Sequence, residues 1–272
     1  MTLETVFGTS TPAIGVVHLL PLPASARWQG CLQTVLDRAV QEAVALASGG
    51  VDGIIVENFF DAPFCRGQVD PAVVSAMTLI VSRLRQLVTV PIGVNVLRND
   101  GVSAMAIATC TGADFIRVNV LTGVMATDQG LIQGDAHRLM RYRRELDSRV
   151  KVFADVLVKH ATPVGQAHEM AMATAVADTL HRGLADAIVI SGTATGSPPS
   201  KQELAQAKQA AGDQAVLVGS GANADNIADL MTLADGVIVS SSLKRHGRID
   251  QPVDPNRVGQ FVEAMGLSLR SV

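Results

Sequence analysis

Residues 151–160, KVFADVLVKH, decide the predicted fold, because their pattern predicts a short buried strand that carries charge on one face. Successive side chains on a strand point to opposite faces. One face of this strand therefore carries Phe153, Asp155, Leu157 and Lys159. The alternate positions carry small apolar residues that suit packing against helices. An acid and a lysine on the face away from the helices indicate a functional site rather than a core.

Seven further β-rich segments occur along the 272 residues, and a helical pattern follows each strand. The predicted strands cover residues 14–18, 53–57, 91–96, 114–119, 151–160, 187–191, 215–218 and 236–240. The predicted helices cover about 32–47, 71–87, 102–111, 135–146, 164–182, 201–211, 224–233 and 256–265. Strands that alternate with helices pair in parallel. Eight such units in one chain of this length predict a single-domain (β/α)8 TIM barrel, with a doubly wound open sheet as the alternative.

Composition argues against several classes of protein. The formal net charge is −3 and aromatic residues make up 3%, so neither a basic surface nor base stacking favours nucleic acid as a partner. The three cysteines show neither a disulfide framework nor metal-ligand spacing. No apolar run reaches the roughly 20 residues of a membrane span, and the N-terminal residues lack a signal-peptide pattern. We expect a cytoplasmic protein without integral membrane association, and a homo-oligomer remains open.

Polar residues collect at the C-terminal ends of the predicted strands, where TIM barrels carry their active sites. The residues in inward phase are His18, Glu57, Asn95, Arg117 with Asn119, Asp155 with Lys159, and Ser191, which Thr193 follows. Each one alone is open to a structural explanation. On six strands, however, the polar residues share the inward phase and the C-terminal position, and this agreement favours a functional site.

Residue chemistry suggests a role for each of these side chains. The candidate catalytic residues are His18, Glu57, Asp155 and Lys159, and the candidate substrate-binding residues are Asn95, Arg117, Asn119, Ser191 and Thr193. Either carboxyl group would serve as a general acid or base. Lys159 would either form a Schiff base or pair with Asp155 or a ligand anion, and we favour pairing. A divalent metal on the two carboxylates is conceivable, but no ligand spacing supports it, so no cofactor is predicted.

The segments GSGAN (219–223) and SSSLK (240–244) follow the seventh and eighth strands. Loops after these strands are the usual phosphate position of the fold, and free amides at a helix start favour an anion. The predicted phosphate-binding residues are therefore Gly219, Ser220, Gly221, Ser240 and Ser241. The alternative is an ordinary glycine turn and a serine-rich loop. Lys244 would either add charge or be solvated.

Seven motifs in order along the chain resemble the BtpA family, which includes the SgcQ-like proteins and is grouped with ribulose-phosphate-binding barrels. The motifs are VVHLLPLP (16–23), VENFFDAPF (56–64), GVNVLRND (93–100), FIRVNVLTG (115–123), TDQGLIQG (127–134), FADVLVKHA (153–161) and ISGTATGSPP (190–199). The resemblance runs from the first strand to the last. It implies a (β/α)8 barrel.

The resemblance implies two different functions. The family name implies a photosystem I assembly or stability factor, whereas members beside sugar-processing genes imply a metabolic enzyme. Phe60 stands where the family usually has glycine, and Leu121 and Leu157 stand where histidines are common. If those histidines take part in chemistry, this chain has altered specificity or reduced activity.

Two hypotheses follow from the sequence. The first is an enzyme that acts on a small phosphorylated sugar or sugar-like metabolite by acid/base chemistry, with isomerase, lyase and glycosyl-group reactions all compatible. The second is a non-catalytic photosystem I assembly factor. The second requires an exposed apolar or basic docking surface, and none is predicted.

Overall fold

A computed structural model describes residues 3–165, 171–192, 194 and 196–266. The strands are β1 (Ala13–His18), β2 (Gly53–Glu57), β3 (Ile92–Asn95), β4 (Phe115–Val118), β5 (Val124–Thr127), β6 (Gly130–Gln133), β7 (Lys151–Val156), β8 (Ala161–Pro163), β9 (Ala187–Ile190), β10 (Val216–Val218) and β11 (Gly236–Val239). The helices are α1 (Glu4–Phe7), α2 (Leu32–Ser48), α3 (Pro71–Arg85), α4 (Gly101–Thr111), α5 (Ala136–Glu145), α6 (Ala171–Ala177), α7 (Lys201–Ala211), α8 (Ile227–Leu230) and α9 (Pro255–Ala264).

Eight of these strands pair in parallel and close into a barrel in the order β1-β11-β10-β9-β7-β4-β3-β2. The predicted (β/α)8 barrel is therefore confirmed, and the open-sheet alternative is wrong. Helices lie between successive strands, and apolar residues from both layers form one buried shell around the barrel. None of the helices within the described ranges is long and apolar enough to cross a membrane.

The N-terminal half of the barrel interior is filled by aromatic rings. Phe115 and Phe153 stack at 4.8 Å between ring centroids, and Phe7 of α1 meets Phe115 edge-on at 5.4 Å. Gly93 leaves the space for Phe115, because a Cβ at this position would lie 2.3 Å from the ring. The apolar lower half thus leaves the C-terminal half of the interior for polar groups.

A fourfold repeat of aspartates, which was not predicted from the sequence, organises the N-terminal rim. One aspartate directly precedes every second barrel strand and accepts a hydrogen bond of 2.8–2.9 Å from a backbone amide at the start of the preceding barrel strand. The aspartates are Asp52, Asp114, Asp186 and Asp235. Because neighbouring strands are tied at their entry points, the repeat helps to fix the register that aligns their other ends.

Three local predictions are wrong. β7 ends at Val156 instead of continuing to His160, because Leu157 adopts a φ of 50° and leaves the strand path. Leu157 consequently packs against the helix-side core and does not share a face with Asp155. α8 is a helix of four residues, much shorter than the predicted 224–233.

The fifth and sixth strands lie in a segment for which no strand was predicted, and they form a small sheet over the barrel mouth. They pair as an antiparallel hairpin, and β8 adds to its edge in the order β6-β5-β8. Val120, Met125, Ile132 and Val158 form its own apolar core. Part of the predicted helix 164–182 is occupied by α6 and a π-helical turn, Asp178–Arg182, while residues 166–170 lie outside the described ranges.

Replacing Gly93 tests the packing of the aromatic layer. We expect Gly93→Ala to lower the free energy of unfolding by about 1–3 kcal/mol, since the added methyl group overlaps the Phe115 ring. Gly259→Ala in α9 is the matched control, because no heavy atom lies within 4 Å of its added Cβ and alanine favours a helix. Chemical denaturation measures both. Equal stability of the two variants would contradict the packing argument.

Candidate functional site

A cavity of about 400 Å³ opens at the C-terminal mouth of the barrel. It is lined by eleven predicted site residues, namely His18, Glu57, Asn95, Arg117, Asn119, Lys159, Gly219, Ser220, Gly221, Ser240 and Ser241. Asp155 and Ser191 lie behind this surface, in contact with Arg117. Thr193 lies outside the described residues. The volume suits a small metabolite.

The floor of the cavity is a buried ion pair between Arg117 and Asp155. Nε and Nη2 of Arg117 donate to the two carboxylate oxygens of Asp155 at 2.9 and 3.2 Å, and the side chains are 4% and 0% exposed. Burial by itself would lower the pKa of Arg117, but the charges of Asp155 and Glu57 outweigh it and raise that pKa. Arg117 is therefore a permanent cation, held in one orientation by a bidentate contact.

Neighbouring strands supply the rest of this network. β2 and β3 place Glu57 opposite Asn95, whose Nδ2 donates to Glu57 Oε1 at 3.1 Å. Arg117 Nη1 approaches the same oxygen at 3.5 Å, and Arg117 Nη2 donates to Ser191 Oγ at 3.4 Å. Glu57 Oε2 remains directed towards His18, 3.7 Å from its Nε2. One face of the Glu57 carboxylate is thus fixed and the other borders the cavity.

Asn119 presents an unused acceptor. Its Nδ2 donates to Asp155 Oδ2 at 2.8 Å, and because an ionised carboxylate only accepts, this fixes the amide orientation. Oδ1 is buried and has no hydrogen-bond partner in the part of the chain that the structure describes. Gln129, at the turn of the β5–β6 hairpin, also lines the cavity, and its buried Oε1 likewise has no hydrogen-bond partner among the described residues. A ligand hydroxyl would satisfy such an acceptor.

His18 lies between an aromatic ring and the serine loop. It stacks on Phe59 at 4.3 Å, and its Nδ1 is 3.4 Å from Ser240 Oγ. Burial lowers the pKa of His18 well below its usual value near 6.5, and the positive charges of Lys244, Lys159 and Arg117 lower it further. The imidazole is therefore neutral at pH 7 and able to accept a proton.

Lys159 does not form the predicted pair with Asp155, because both oxygens of that carboxylate are already bonded to Arg117 and Asn119. Its backbone carbonyl accepts from Arg98 Nη2 at 2.8 Å, and its side chain lines the cavity. Burial, followed by the charge of Arg117, lowers the pKa of Lys159 to about 8. A substantial fraction of this amine is therefore uncharged in mildly alkaline solution.

The loops after β10 and β11 differ from their prediction in two ways. A helix of four residues supplies no useful dipole, and the glycines are required by packing. A Cβ on Gly221, whose φ is 76°, would lie 2.0 Å from Pro198 N, and one on Gly219 would lie 2.5 Å from Ser191 Oγ. The amides of Ser220, Gly221 and Ser241 nevertheless make no backbone hydrogen bond to any described residue.

Ser242 and Lys244 hold these two loops in place. Ser242 Oγ donates to Ala222 O at 2.7 Å, which joins the serine loop to the glycine loop. Lys244 is neither solvated nor directed at a ligand. It is buried and bonded to Glu42 of α2 at 2.6 Å.

Asp61 and Asn58 join the loops on the opposite side of the mouth, a role that the sequence did not reveal. Asp61 accepts from Leu22 N at 2.7 Å and from Asn58 Nδ2 at 3.0 Å. Asn58 Oδ1 in turn accepts from Leu97 N at 2.7 Å. Burial raises the pKa of Asp61. The loops after β1, β2 and β3 are thereby fixed relative to one another.

The three departures from the family pattern lie away from the cavity surface. Leu121 and Leu157 pack into or against the helix-side core, and Phe60 meets Phe59 edge-on at 5.3 Å. None of the three lines the cavity. Among the described residues there is also no group of three His, Cys, Asp or Glu side chains arranged to hold a metal ion.

Breaking the central ion pair should destabilise the protein. We expect Arg117→Met and Asp155→Leu each to cost about 3–5 kcal/mol, because each leaves a buried charge without its partner. The double variant should lose less stability than the sum of the two single variants, since neither member of the pair is left without its partner and only the longer ionic contact of Arg117 with Glu57, at 3.5 Å, is lost in addition. Urea denaturation of the four proteins measures this. Costs that simply add in the double variant would argue against a buried, coupled pair.

Acidification should test the neutral state of His18. Below pH about 6.5 the unfolded chain protonates His18, whereas the folded chain keeps this imidazole neutral because its pKa is lowered. The contribution of neutral His18 to the free energy of unfolding is therefore fully present above that pH and is lost as the pH falls. We expect the melting temperature to fall less between pH 7.5 and pH 5.5 in His18→Gln than in wild type. His137→Gln, at an exposed position on α5, serves as the control and should behave as wild type.

Comparisons with known proteins place the chain in a family. The BtpA family matches residues 9–266. "Photosystem I biogenesis protein BtpA" of Synechocystis is 64% identical over 271 residues, covering 100% of this chain and 93% of the relative. An uncharacterized protein of Thermococcus kodakarensis is 46% identical, covering 93% and 94%. "Putative sgc region protein SgcQ" of Escherichia coli is 30% identical, covering 96% of both chains.

Solved structures support the architecture. Mycobacterium tuberculosis tryptophan synthase superposes with a TM-score of 0.60 at 17% identity, covering 98% of both chains. N-(5'-phosphoribosyl)anthranilate isomerase from Pyrococcus furiosus gives 0.56 at 14% identity, covering 94% of this chain and 98% of that chain. At these identities the likeness concerns the fold alone. The sequence match to the BtpA family, in contrast, extends over residues 9–266, which is nearly the whole chain. The chain therefore belongs to the BtpA family.

Proposed function

We propose that this protein is an enzyme that binds a small phosphorylated sugar or sugar-like metabolite in the cavity and acts on it by acid/base chemistry. The observation that carries the proposal is the composition of the cavity wall. A fixed cation, a carboxylate, a neutral imidazole and a half-buried lysine line the cavity. Its wall also includes backbone amides that make no backbone hydrogen bond to a described residue.

The phosphate would bind to the loops after β10 and β11. The amides of Ser220, Gly221 and Ser241 make no backbone hydrogen bond within the described ranges and would donate to the phosphate, and the Ser241 hydroxyl adds a fourth donor at the cavity wall. Such concave groups of amides bind phosphate in many proteins without any helix dipole. The proposal therefore rests on these amides and no longer on the predicted helix start or on Lys244.

The reacting part of the substrate would face Glu57, His18 and Lys159. Glu57 has one oxygen held by Asn95 and one directed towards His18, so it is positioned to transfer a proton. Asn119 Oδ1 would accept from a substrate hydroxyl. Asp155 is fully buried behind Arg117, which favours a positioning role over the catalytic role that the sequence suggested.

The second candidate function is a non-catalytic role in photosystem I biogenesis, as the name of the Synechocystis relative suggests. α5 provides an observation in its favour that was not predicted from the sequence. Arg138, Arg141 and Arg144 are exposed on this short helix, and Arg149 follows it. Such a basic surface fits an acidic partner. The relative in Escherichia coli, which is not photosynthetic, supports a function that does not require the photosystem.

Thermal unfolding in the presence of phosphorylated sugars tests the proposed site. At a concentration one hundred times Kd, ribose 5-phosphate should stabilise the protein by about 2.7 kcal/mol and raise its melting temperature by about 5–10 °C. Ribose without phosphate should have little effect. Ser241→Asp should abolish the shift in melting temperature, because its carboxylate repels the phosphate. Ser241→Asn is the matched control, since asparagine has the size of aspartate without its charge, and this variant should largely retain the shift.

The same measurement separates the two candidate functions. If neither inorganic phosphate nor a panel of sugar phosphates stabilises the protein, the enzyme proposal fails. Binding to isolated photosystem I that is lost when Arg138, Arg141 and Arg144 are replaced by glutamine would then support the assembly role.

A further inference from the structure

We infer that Lys159 is the nucleophile of a covalent mechanism, in which its amine condenses with the carbonyl carbon of a phosphorylated, open-chain substrate to form a Schiff base. The inference deepens the proposed function and rests on it. It assigns a substrate class, a phosphorylated aldehyde or ketone, and a reaction class, carbanion chemistry beside the carbonyl carbon.

The lysines of this chain provide the first argument. There are five, and four form ion pairs. The paired lysines are Lys151 with Asp186, Lys201 with Asp229, Lys208 with Asp235 and Lys244 with Glu42. Lys159 makes no ion pair with any residue in the described ranges, although it is the lysine that lines the cavity. A lysine that served only structure would be expected to have a carboxylate partner where it is half-buried.

The surroundings of Lys159 explain why it has none. Asp155, the acid predicted to pair with it, is saturated by Arg117 and Asn119, and Glu57 has one oxygen bonded to Asn95 and the other directed towards His18. Burial and the charges of Arg117 and Arg98 lower the pKa of the amine and outweigh the charges of Glu57 and Asp155, which raise it. Burial and nearby positive charge are the two means by which proteins activate lysine nucleophiles.

Every bond and proton in the formation of a Schiff base on Lys159 can be accounted for with groups that line the cavity. The Nζ lone pair attacks the carbonyl carbon and a C–N bond forms. The carbonyl oxygen gains one proton from the amine and one from an acid at the site, and it leaves as water, so that a protonated imine remains. When a C–H or C–C bond next to the imine carbon breaks, its electron pair moves to the imine nitrogen. Glu57 or His18 is positioned to take the released proton.

Reductive trapping with pyridoxal 5'-phosphate tests the inference without knowledge of the natural substrate. The probe carries an aldehyde and a phosphate, and borohydride makes its Schiff base permanent. Peptide mass mapping of wild-type protein should find the adduct on Lys159, with a labelling rate at pH 7.5 at least about tenfold above those of Lys201 and Lys208, because more of its amine is uncharged. The rate should rise with pH and level off above about pH 8.

Lys159→Arg is the matched control, since it retains the cation and removes the nucleophile. The variant should show no adduct at position 159, and Lys201 and Lys208 should be labelled at their wild-type rates. Wild-type mapping needs no variant, so a folding defect in Lys159→Arg does not affect the test. Equal labelling of Lys159, Lys201 and Lys208 in the wild-type protein would overturn the inference.

The experiments distinguish the Schiff base proposal from the proposed phosphate site, because different outcomes contradict each of them. A thermal shift with ribose 5-phosphate but no adduct on Lys159 overturns the Schiff base and leaves the proposed site standing. Preferential labelling of Lys159 that is equally fast with pyridoxal, which lacks the phosphate, supports the nucleophile and contradicts the phosphate-binding loops. Labelling by the phosphorylated probe that is at least about tenfold faster supports both.

Discussion

The buried pair of Arg117 and Asp155 is the interaction on which the site depends. Burying two charges is costly, and the cost is offset only when geometry is good and the remaining hydrogen-bonding groups are satisfied. Here the pair is bidentate, and Asn119, Glu57 and Ser191 occupy the other positions around it. The aromatic layer of Phe115 and Phe153 beneath it excludes water from the barrel centre. This arrangement fixes a cation in the floor of the cavity.

The fixed cation adds to the effect of burial on its neighbours. Burial is the main cause that lowers the pKa of both His18 and Lys159; the charge of Arg117 comes second for Lys159, and for His18 it comes after the charges of Lys244 and Lys159. A neutral imidazole and a partly neutral amine consequently lie near a carboxylate, Glu57, with one oxygen still directed into the site. Groups whose protonation states are separated in this way suit proton transfer. The acidic partner of Arg117 thus influences the chemistry without touching a ligand.

Period-two alternation predicted much of the site, because β1, β2, β3 and β4 are regular up to their last residues. Glu57, Asn95 and Arg117 therefore lie where their phase placed them. The same argument failed after Val156, since the left-handed conformation of Leu157 ends the alternation and Lys159 reaches the cavity by another path. Backbone conformation of a single non-glycine residue is not evident from residue types.

Tertiary context accounts for the other differences. The residues of the β5–β6 hairpin are bounded by glycines and acids that are equally typical of a loop, and β8 becomes a strand only by pairing with β5. Gly219 and Gly221 were predicted to bind phosphate, but their lack of a side chain is required by the close approach of Ser191 and Pro198, which belong to other loops. The aspartate repeat was visible as Asp before every second strand, yet its meaning depends on knowing which strands are adjacent.

A crystal structure of the protein grown with saturating ribose 5-phosphate tests most directly whether the Arg117-centred cavity is a ligand site. We expect phosphate oxygens within about 3.2 Å of the amides of Ser220, Gly221 or Ser241, with the sugar extending towards Arg117 and Lys159. A cavity without sugar phosphate, or a ligand bound outside the barrel mouth, would show that the cavity is not the proposed site.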